Sequence, residues 1–554
     1  MGIDRLVSVA NARINSLCHA ATFTSKWLYA AAIYPALITI PYLFVTDRYS
    51  SLARIVYVLL CSCLALAMLF VFLSGQRHAW TTWFNRYANR IYFSFLIVYA
   101  LAVFYLSYFV RIRNGMGIVE DVALVEQILW GGSQGKFFYS SIYNGSALNA
   151  HFSVIFIPLT ILFRLIPDIG IVFAVQAVLL PAASILIYLM AKASDDRILA
   201  SIMGIAFLLS PAVISQPFTL YLNHFAIFFW LAAALAFWRK RFATFVCFSI
   251  LAASVQEDIA FSLLIFALLA WLENRQRSWK LFSTIFPILW FTVAMLAIQA
   301  NASATGQTLG GNFTDLGTTP LDIGQAVLAN PQLILGKFLG HIDYKMLWVY
   351  ELTSPFFFIV PFASLLVAAA FPDWIVFSFS STINRNFEAY SVAWYYSLFI
   401  TAVLFAAFVN ALSRPNAFRL AEGAQVRISR VLSILLLSSN LAMLPLVLSP
   451  DMFETDGGAR IATLAKIKTL VPDDACAVMT LDIAEPFARR LELQTLGPTN
   501  NTVPYNCPYV IINQQFVNAQ PANAPIRGLV SSLEHDGVYD LVLSENQILF
   551  LVRK

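Results

Sequence analysis

Apolar runs of about 18–20 residues recur along most of this chain, among them "WLYAAAIYPALITIPYLFV" and "IVYVLLCSCLALAMLFVFLSG". A helix of that length crosses a hydrocarbon core about 30 Å thick. Two spans are predicted first, near residues 27–46 and 54–74, then one at 91–110; the last is expected at 431–449. Two stretches break the regular alternation. Residues 151–167, starting "HFSVIFIPL", must either cross or dip and return. Residues 345–371 hold Pro355 and Pro361 and are expected to form a broken helical pair. Irregular backbone at membrane depth survives only where protein or water covers it. The pattern predicts an α-helical polytopic membrane protein of about 11–13 transmembrane helices.

Beyond residue 450 the pattern changes. A helix-like "ARIATLAKIKTL" is followed by short strands "CAVMT", "YVIIN", "YDLVLS" and "ILFLVR", with a further helix near 525–535. This predicts a small C-terminal α/β domain of about 100 residues. It carries no GxGxxG, no P-loop and no Cys/His metal spacing, which favours a structural or docking role over a catalytic one. The chain therefore divides into 1–90 (two N-terminal spans and a cytoplasmic loop), 91–450 (the membrane core, with a long first external loop at 111–150) and 451–554.

Only 12% of the 554 residues are charged, against about 25% in soluble domains, so each charge carries information. Arg77, Arg86 and Arg90, then Arg239–Arg241, Arg275–Lys280 and Arg414–Arg430, form the basic clusters and are placed on the cytoplasmic side. The first run starts at Trp27, after Arg5, Arg13 and Lys26, and reads as a retained span instead of a cleaved signal. The net charge of +5 implies no nucleic-acid partner, because the basic residues sit in orienting loops. With those clusters inside, segments 216–224, 255–258, 301–343 and 381–390 fall outside, as does the tail. Four Asn-x-Ser/Thr triplets, at Asn144, Asn301, Asn312 and Asn500, lie in the same external segments. Cys18, Cys61, Cys63 and Cys247 lie near or within apolar runs and read as packing residues. Cys476 and Cys507 are the plausible disulfide pair, which would require an oxidising compartment.

Against that background "GIVEDVALVEQILW" (117–130) gathers Glu120, Asp121 and Glu126 in two helical turns, closing on Gln127 and Trp130. A short helix through 119–130 is expected, with Asp121, Gln127 and Trp130 near one face and Glu126 facing more nearly away. Asn149, His151, Asn223, His224, Glu257, Asp258 and Arg385 are polar groups predicted on the same side of the membrane. Ionisable groups at that depth are costly and usually mark a site. Each also has a plainer role: His151 and His224 as interfacial rings, Glu257 and Asp258 as carboxylates favoured at a helix start, Arg385 as a solvated cation. Taken together they suit a carboxylate that deprotonates an acceptor hydroxyl beside cations that neutralise a phosphate. Asp121 with Glu257 and Asp258 would also offer hard oxygen ligands to Mg²⁺ or Mn²⁺.

These residues carry a resemblance. Asp121, Gln127 and Trp130, then "AHFS" (150–153) and Gln176, look like the "D-l-g-i-x-x-Q-x-x-W … H-F-S-P" pattern of the DUF2079 family of predicted bacterial membrane proteins. "NHFA" at His224, "QEDIAF", "AWYYSLFITAVLF", "VPDDACAV" and "CPYVIIN" are similar to its later elements. Gln256 stands where the family has Lys, Ala226 near its Glu-Ala, Tyr395 for its His, and Thr401 about where its Pro falls. The family is grouped with the GT-C glycosyltransferases, multispan enzymes of the cell envelope that use polyprenyl-phosphate sugar donors on the external face. The resemblance implies a GT-C-like core in the bacterial inner membrane and a glycan, lipid or protein acceptor. It implies Asp121 as catalytic base; Glu120, Gln127, Trp130, Asn149, His151, His224, Glu257, Asp258 and Arg385 are expected around the substrate, with Gln127 and Trp130 packing or orienting the loop and not reacting. A flippase for a lipid-linked glycan and a non-catalytic scaffold are the alternatives; no internal repeat of the kind transporters show is evident.

Overall fold

The computed structural model describes residues 34, 77–112, 120–143, 145–192, 196–215, 220–305, 316–317, 320–358, 360–380, 391, 396–413, 422–447, 457–497, 502–504, 507–519, 523–535 and 537–554. The two N-terminal spans, Tyr34 apart, and segment 381–390 lie outside them. Among the described residues, four helices are long and apolar enough to cross a membrane: Arg86–Val110, Gly170–Ala191, Arg277–Asn301 and Tyr396–Ser413. Seven shorter apolar helices accompany them. The helix that carries the first of these spans, α1 (Arg77–Phe104), begins well before the apolar run, and a π-helical stretch, Tyr105–Ile112, continues it. The basic segment placed in a loop is therefore the first turns of a helix. Arg86 and Arg90 lie over the ring of Tyr87 there, a favourable place for a guanidinium at a membrane edge.

Small residues bring these helices together. Gly204, in α5 (Arg197–Leu208), has no room for a Cβ: one would sit 2.6 Å from the Tyr92 ring of α1. The Tyr92 hydroxyl pairs with Ser184 Oγ at 2.8 Å, and Ser184, in α4 (Gly170–Ala191), donates to the Gly204 carbonyl at 2.8 Å. Without a hydrophobic drive between helices in lipid, close backbone approach and such hydrogen bonds hold a bundle together. Asp196 caps α5 through the amides of Ile198 and Leu199 and accepts Arg430 Nε at 2.5 Å, tying α5 to α15 (Glu422–Val447).

Both irregular stretches take definite forms. Residues 151–167 contain α3 (Phe156–Leu165), ten residues and thus about 15 Å long, half a bilayer core, so it does not cross. In the second, α12 (Ile342–Thr353) breaks into 3₁₀ turns at Ser354–Phe356, Val360–Ala363 and Leu365–Ala370 before α13 (Phe371–Phe379). Freed backbone groups there are met by protein: Tyr34 donates to the Ser354 carbonyl at 2.6 Å, and Ser364 Oγ caps Leu366 and accepts from Asn410. At the centre stand α6 (Asn223–Trp238) and α14 (Tyr396–Ser413), apolar on all sides and almost wholly buried. By contrast, α9 (Arg277–Thr305) presents Leu289, Val293 and Leu296 outward.

The tail forms a five-stranded mixed sheet, order β2-β1-β3-β5-β4, from β1 (Ala477–Thr480), β2 (Leu493–Leu496), β3 (Tyr509–Asn513), β4 (Tyr539–Glu545) and β5 (Ile548–Arg553). The three N-terminal strands pair in parallel, and β5 runs antiparallel to both β3 and β4. Alternate side chains serve two cores. Met479, Ile511 and Phe550 pack on α16 (Gly457–Leu470), while Val478, Ile512 and Leu551 pack on α18 (Ala524–His535). Covered faces explain why the inner strands are apolar along their length. The structure joins Cys476 and Cys507, one residue before β1 and two before β3, with Cα atoms 4.7 Å apart.

Closing a loop of 31 residues, this bridge contributes about 3–4 kcal/mol to the tail by the chain-entropy estimate. The Cys476→Ala/Cys507→Ala variant is expected to show proteolysis of the tail at a temperature that leaves the wild-type tail intact. Equal protease resistance of the two would refute that contribution.

Candidate functional site

The acid-rich segment folds as α2 (Glu120–Ser133), and its helical phase decides what each side chain meets. Steps of three, four and seven residues from Asp121 place Leu124, Val125 and Ile128 beside it, and all four line one cavity. A six-residue step turns the chain about 240°, and a nine-residue step about 180°, so Gln127 and Trp130 leave that face. The shared face expected for Asp121, Gln127 and Trp130 is corrected accordingly. Ala123 instead joins the core of the tail domain, and Trp130 packs on the membrane core. At the far end of the helix Gly132 meets Thr160 of α3, where an added Cβ would lie 2.9 Å from its Oγ1.

The cavity measures about 520 Å³ and draws its lining from segments far apart in the chain. Asp121, Tyr143, His151, Tyr221, Asn223, Gln256, Glu257 and Asp258 form the polar part. Phe261, Phe291, Met295, Ile298, Ile323 and Phe377 form the apolar part. All four segments placed outside the membrane by charge contribute or abut: Asn223, Glu257, Ile323 and Ser380 stand on the cavity wall.

Two polar centres line it. At one, the Tyr221 hydroxyl is hydrogen-bonded to the Asp121 carboxylate; burial and the Asp121 charge push the phenol pKa well above its usual value. At the other, His151 Nδ1 lies 2.9 Å from Glu257 Oε1, and the Phe152 amide donates to Glu257 Oε2 at 3.0 Å. The imidazole shows 46% of its surface to the cavity and the carboxylate only 11%. Burial lowers the imidazole pKa, but the Glu257 charge and hydrogen bond outweigh it and raise the value to about 9. The same pairing outweighs desolvation at Glu257 and holds that carboxyl below the usual range. Asp258 precedes α8 (Ile259–Leu272); burial first, then the Glu257 charge, carries it up to about 7.

Other expected site residues stand elsewhere. Gln127 is fully buried, and its amide is taken up by loop and tail: it accepts from Ser140 Oγ and the Ser141 amide and donates to Ser141 Oγ and the Arg490 carbonyl. It does not line the cavity. Trp130, packed on the membrane core, does not line it either. Asn149 is buried behind the wall and donates to the Tyr143 carbonyl at 2.8 Å, shaping the loop. His224 has no exposed surface; its Nδ1 meets the Tyr221 carbonyl at 2.6 Å, so the ring braces the Tyr221 turn and does not line the cavity. Arg385 and the Glu120 side chain lie outside the described residues. Among those described, no three His, Cys, Asp or Glu side chains converge to hold a metal. Both Glu257 oxygens are already engaged, which separates that carboxylate from Asp121 as a Mg²⁺ or Mn²⁺ ligand. Tyr221, Tyr143 and the aromatic wall were not anticipated; one phenol among 22 tyrosines carries no signal until the fold sets it against a carboxylate.

A family model described as a predicted membrane protein (DUF2079) matches residues 121–549, and the chain belongs to this family. Among solved structures, the crystal structure of ArnT from Cupriavidus metallidurans bound to undecaprenyl phosphate is similar to this chain. The identity is 12%, the match covers 83% of this chain and 97% of that one, and the TM-score is 0.44. No curated protein matches in sequence.

The ion pair sets a pH window. The share due to His151, whose pKa is raised, is full below the ordinary 6.5 and is lost as pH rises through about 9. The share due to Glu257, whose pKa is depressed, is full above 4.5 and is lost as pH falls through the depressed value. Removing the carboxylate with Glu257→Gln is expected to cost on the order of 1–3 kcal/mol near neutrality. The thermal stability of detergent-solubilised wild type should exceed that of the variant at neutral pH, and the margin should vanish above about pH 10. A margin flat to that pH would remove the pairing as its source.

Proposed function

Taking family membership as the premise, we propose that the protein is a membrane glycosyltransferase that moves a sugar from a polyprenyl-phosphate donor to an extracytoplasmic acceptor. The observation that carries this reading is the cavity itself. A carboxylate fixed by a phenol stands at its polar part, and its apolar wall is one face of a membrane span. Phe291, Met295 and Ile298 of α9 line the cavity, whereas Leu289, Val293 and Leu296 of the same helix face outward. A single helix thus separates cavity from lipid, which suits a substrate with an apolar chain and a polar head.

Asp121 would take the proton of the acceptor hydroxyl as its oxygen attacks the anomeric carbon and the bond to the donor phosphate breaks. The Tyr221 hydrogen bond fixes the direction of the carboxylate. His151, kept protonated by Glu257, is the cation on the described cavity wall and would face the phosphate as its charge develops. Ser380 lines the same cavity and leads directly into the segment carrying Arg385, a second candidate for that phosphate. The disulfide of the tail, which packs on α2, favours an oxidising compartment on the side where the cavity opens, as expected for the outer face of a bacterial inner membrane.

The test is transfer of labelled sugar from polyprenyl phosphate by purified protein in lipid. Asp121→Asn is expected to lower the rate by about 10²–10⁴-fold. Tyr221→Phe, which loses only the orienting bond, should lower it by about tenfold. Undiminished transfer by Asp121→Asn would remove the base, and movement of the intact donor across the membrane without bond breakage would assign the cavity to transport.

A further inference from the structure

The N-terminal half of α2 is held from two directions. Val122, Val125 and Leu129 sink into the membrane core, while Ala123, Glu126 and Gln127 face the segment of the tail from Arg489 to Leu493. That segment grips more than the helix. Arg489 Nε donates to Glu126 Oε1 at 2.7 Å and its Nη2 to the Pro167 carbonyl at 2.8 Å. Ser141, in the loop after α2, both donates to the Leu493 carbonyl and accepts from the Leu493 amide, at 2.8 and 2.9 Å. Tyr139 donates to the Leu491 carbonyl at 2.7 Å. The gripping segment is itself anchored, because the buried Arg490 side chain donates to the carbonyls of Pro472, Ala475 and Phe487 inside the tail.

We infer that the C-terminal domain is a positioning element of the cavity, acting through Arg489 on Glu126 and through the Arg490 carbonyl on Gln127 to fix where Asp121 stands. Gln127 and Arg489 are positioning residues: neither lines the cavity, yet each holds the helix turn next to the one that carries the carboxylate. A buried amide with its partners met on both sides tolerates only one orientation of that turn. The catalytic consequence rests on the function proposed above; the mechanical one does not.

The experiment uses the full chain in lipid nanodiscs and reads two quantities. Glu126→Arg and Arg489→Glu, each alone, are expected to speed amide hydrogen exchange across residues 121–127 by at least about tenfold. The double swap, which restores opposite charges, should bring exchange back to within about threefold of wild type. Exchange unchanged in both single variants, or accelerated without recovery in the swap, would overturn the coupling. In the transfer assay each single variant should lose kcat about tenfold, with KM for the polyprenyl-phosphate donor little changed. Transfer absent even from wild type would sink the enzymatic reading and leave the exchange result standing. Full kcat in a variant whose α2 amides exchange freely would sink the positioning role alone.

Discussion

A side-chain amide that no water can reach must find its hydrogen-bond partners in protein, and Gln127 is such a group. Its carbonyl oxygen serves the loop at Ser140 and Ser141, and its nitrogen bridges that loop to the backbone of the tail. Once those bonds are made, the rotation of α2 about its axis is set. Asp121 must then face the cavity, Ala123 the tail core and Trp130 the bundle. Three bodies (membrane core, first loop and tail) meet on this one helix. The clustering of carboxylates follows from that role: Asp121 serves the cavity and Glu126 serves the joint.

The cavity shows the same economy of charge. In a region of low dielectric an unmatched ion is costly, so the structure matches the ions that face each other. His151 and Glu257 neutralise one another within hydrogen-bonding distance while leaving the imidazole open to whatever enters. Asp258, beside Glu257, is pushed up to about 7 by burial and by the Glu257 charge. Asp121, on the same cavity, is tied to the Tyr221 phenol, which burial and the carboxylate keep neutral.

Much of this was legible in the chain. The apolar runs gave the helical membrane class, and charge asymmetry grouped the polar segments that meet at the cavity. Short apolar runs predicted four of the five tail strands, and the helix-like "ARIATLAKIKTL" and the segment near 525–535 its two longer helices. The strand that was missed, β2, reads "LQTL": four residues with a polar pair in the middle, recognisable only once β1 lies beside it. The rotation of α2 is not given by spacing alone, since steps of six and nine residues turn the helix about 240° and 180° away from Asp121. The partner of Gln127 was beyond reach for a different reason. The Arg490 carbonyl lies 363 residues away, and a backbone carbonyl has no sequence signature at all. The roles of His224 and Asn149 were similarly hidden, since braces and ligands draw on the same side chains.

The separation of 363 residues between Gln127 and its tail partner has a temporal consequence. Helices of the bundle enter the bilayer as the ribosome delivers them, and local contacts form long before distant ones. The helix bearing Asp121 is synthesised early, yet the tail segment that holds it, from Arg489 to Leu493, follows only after the rest of the bundle. A nascent chain thus holds the helices of the bundle before the segment that fixes the rotation of α2 has been made.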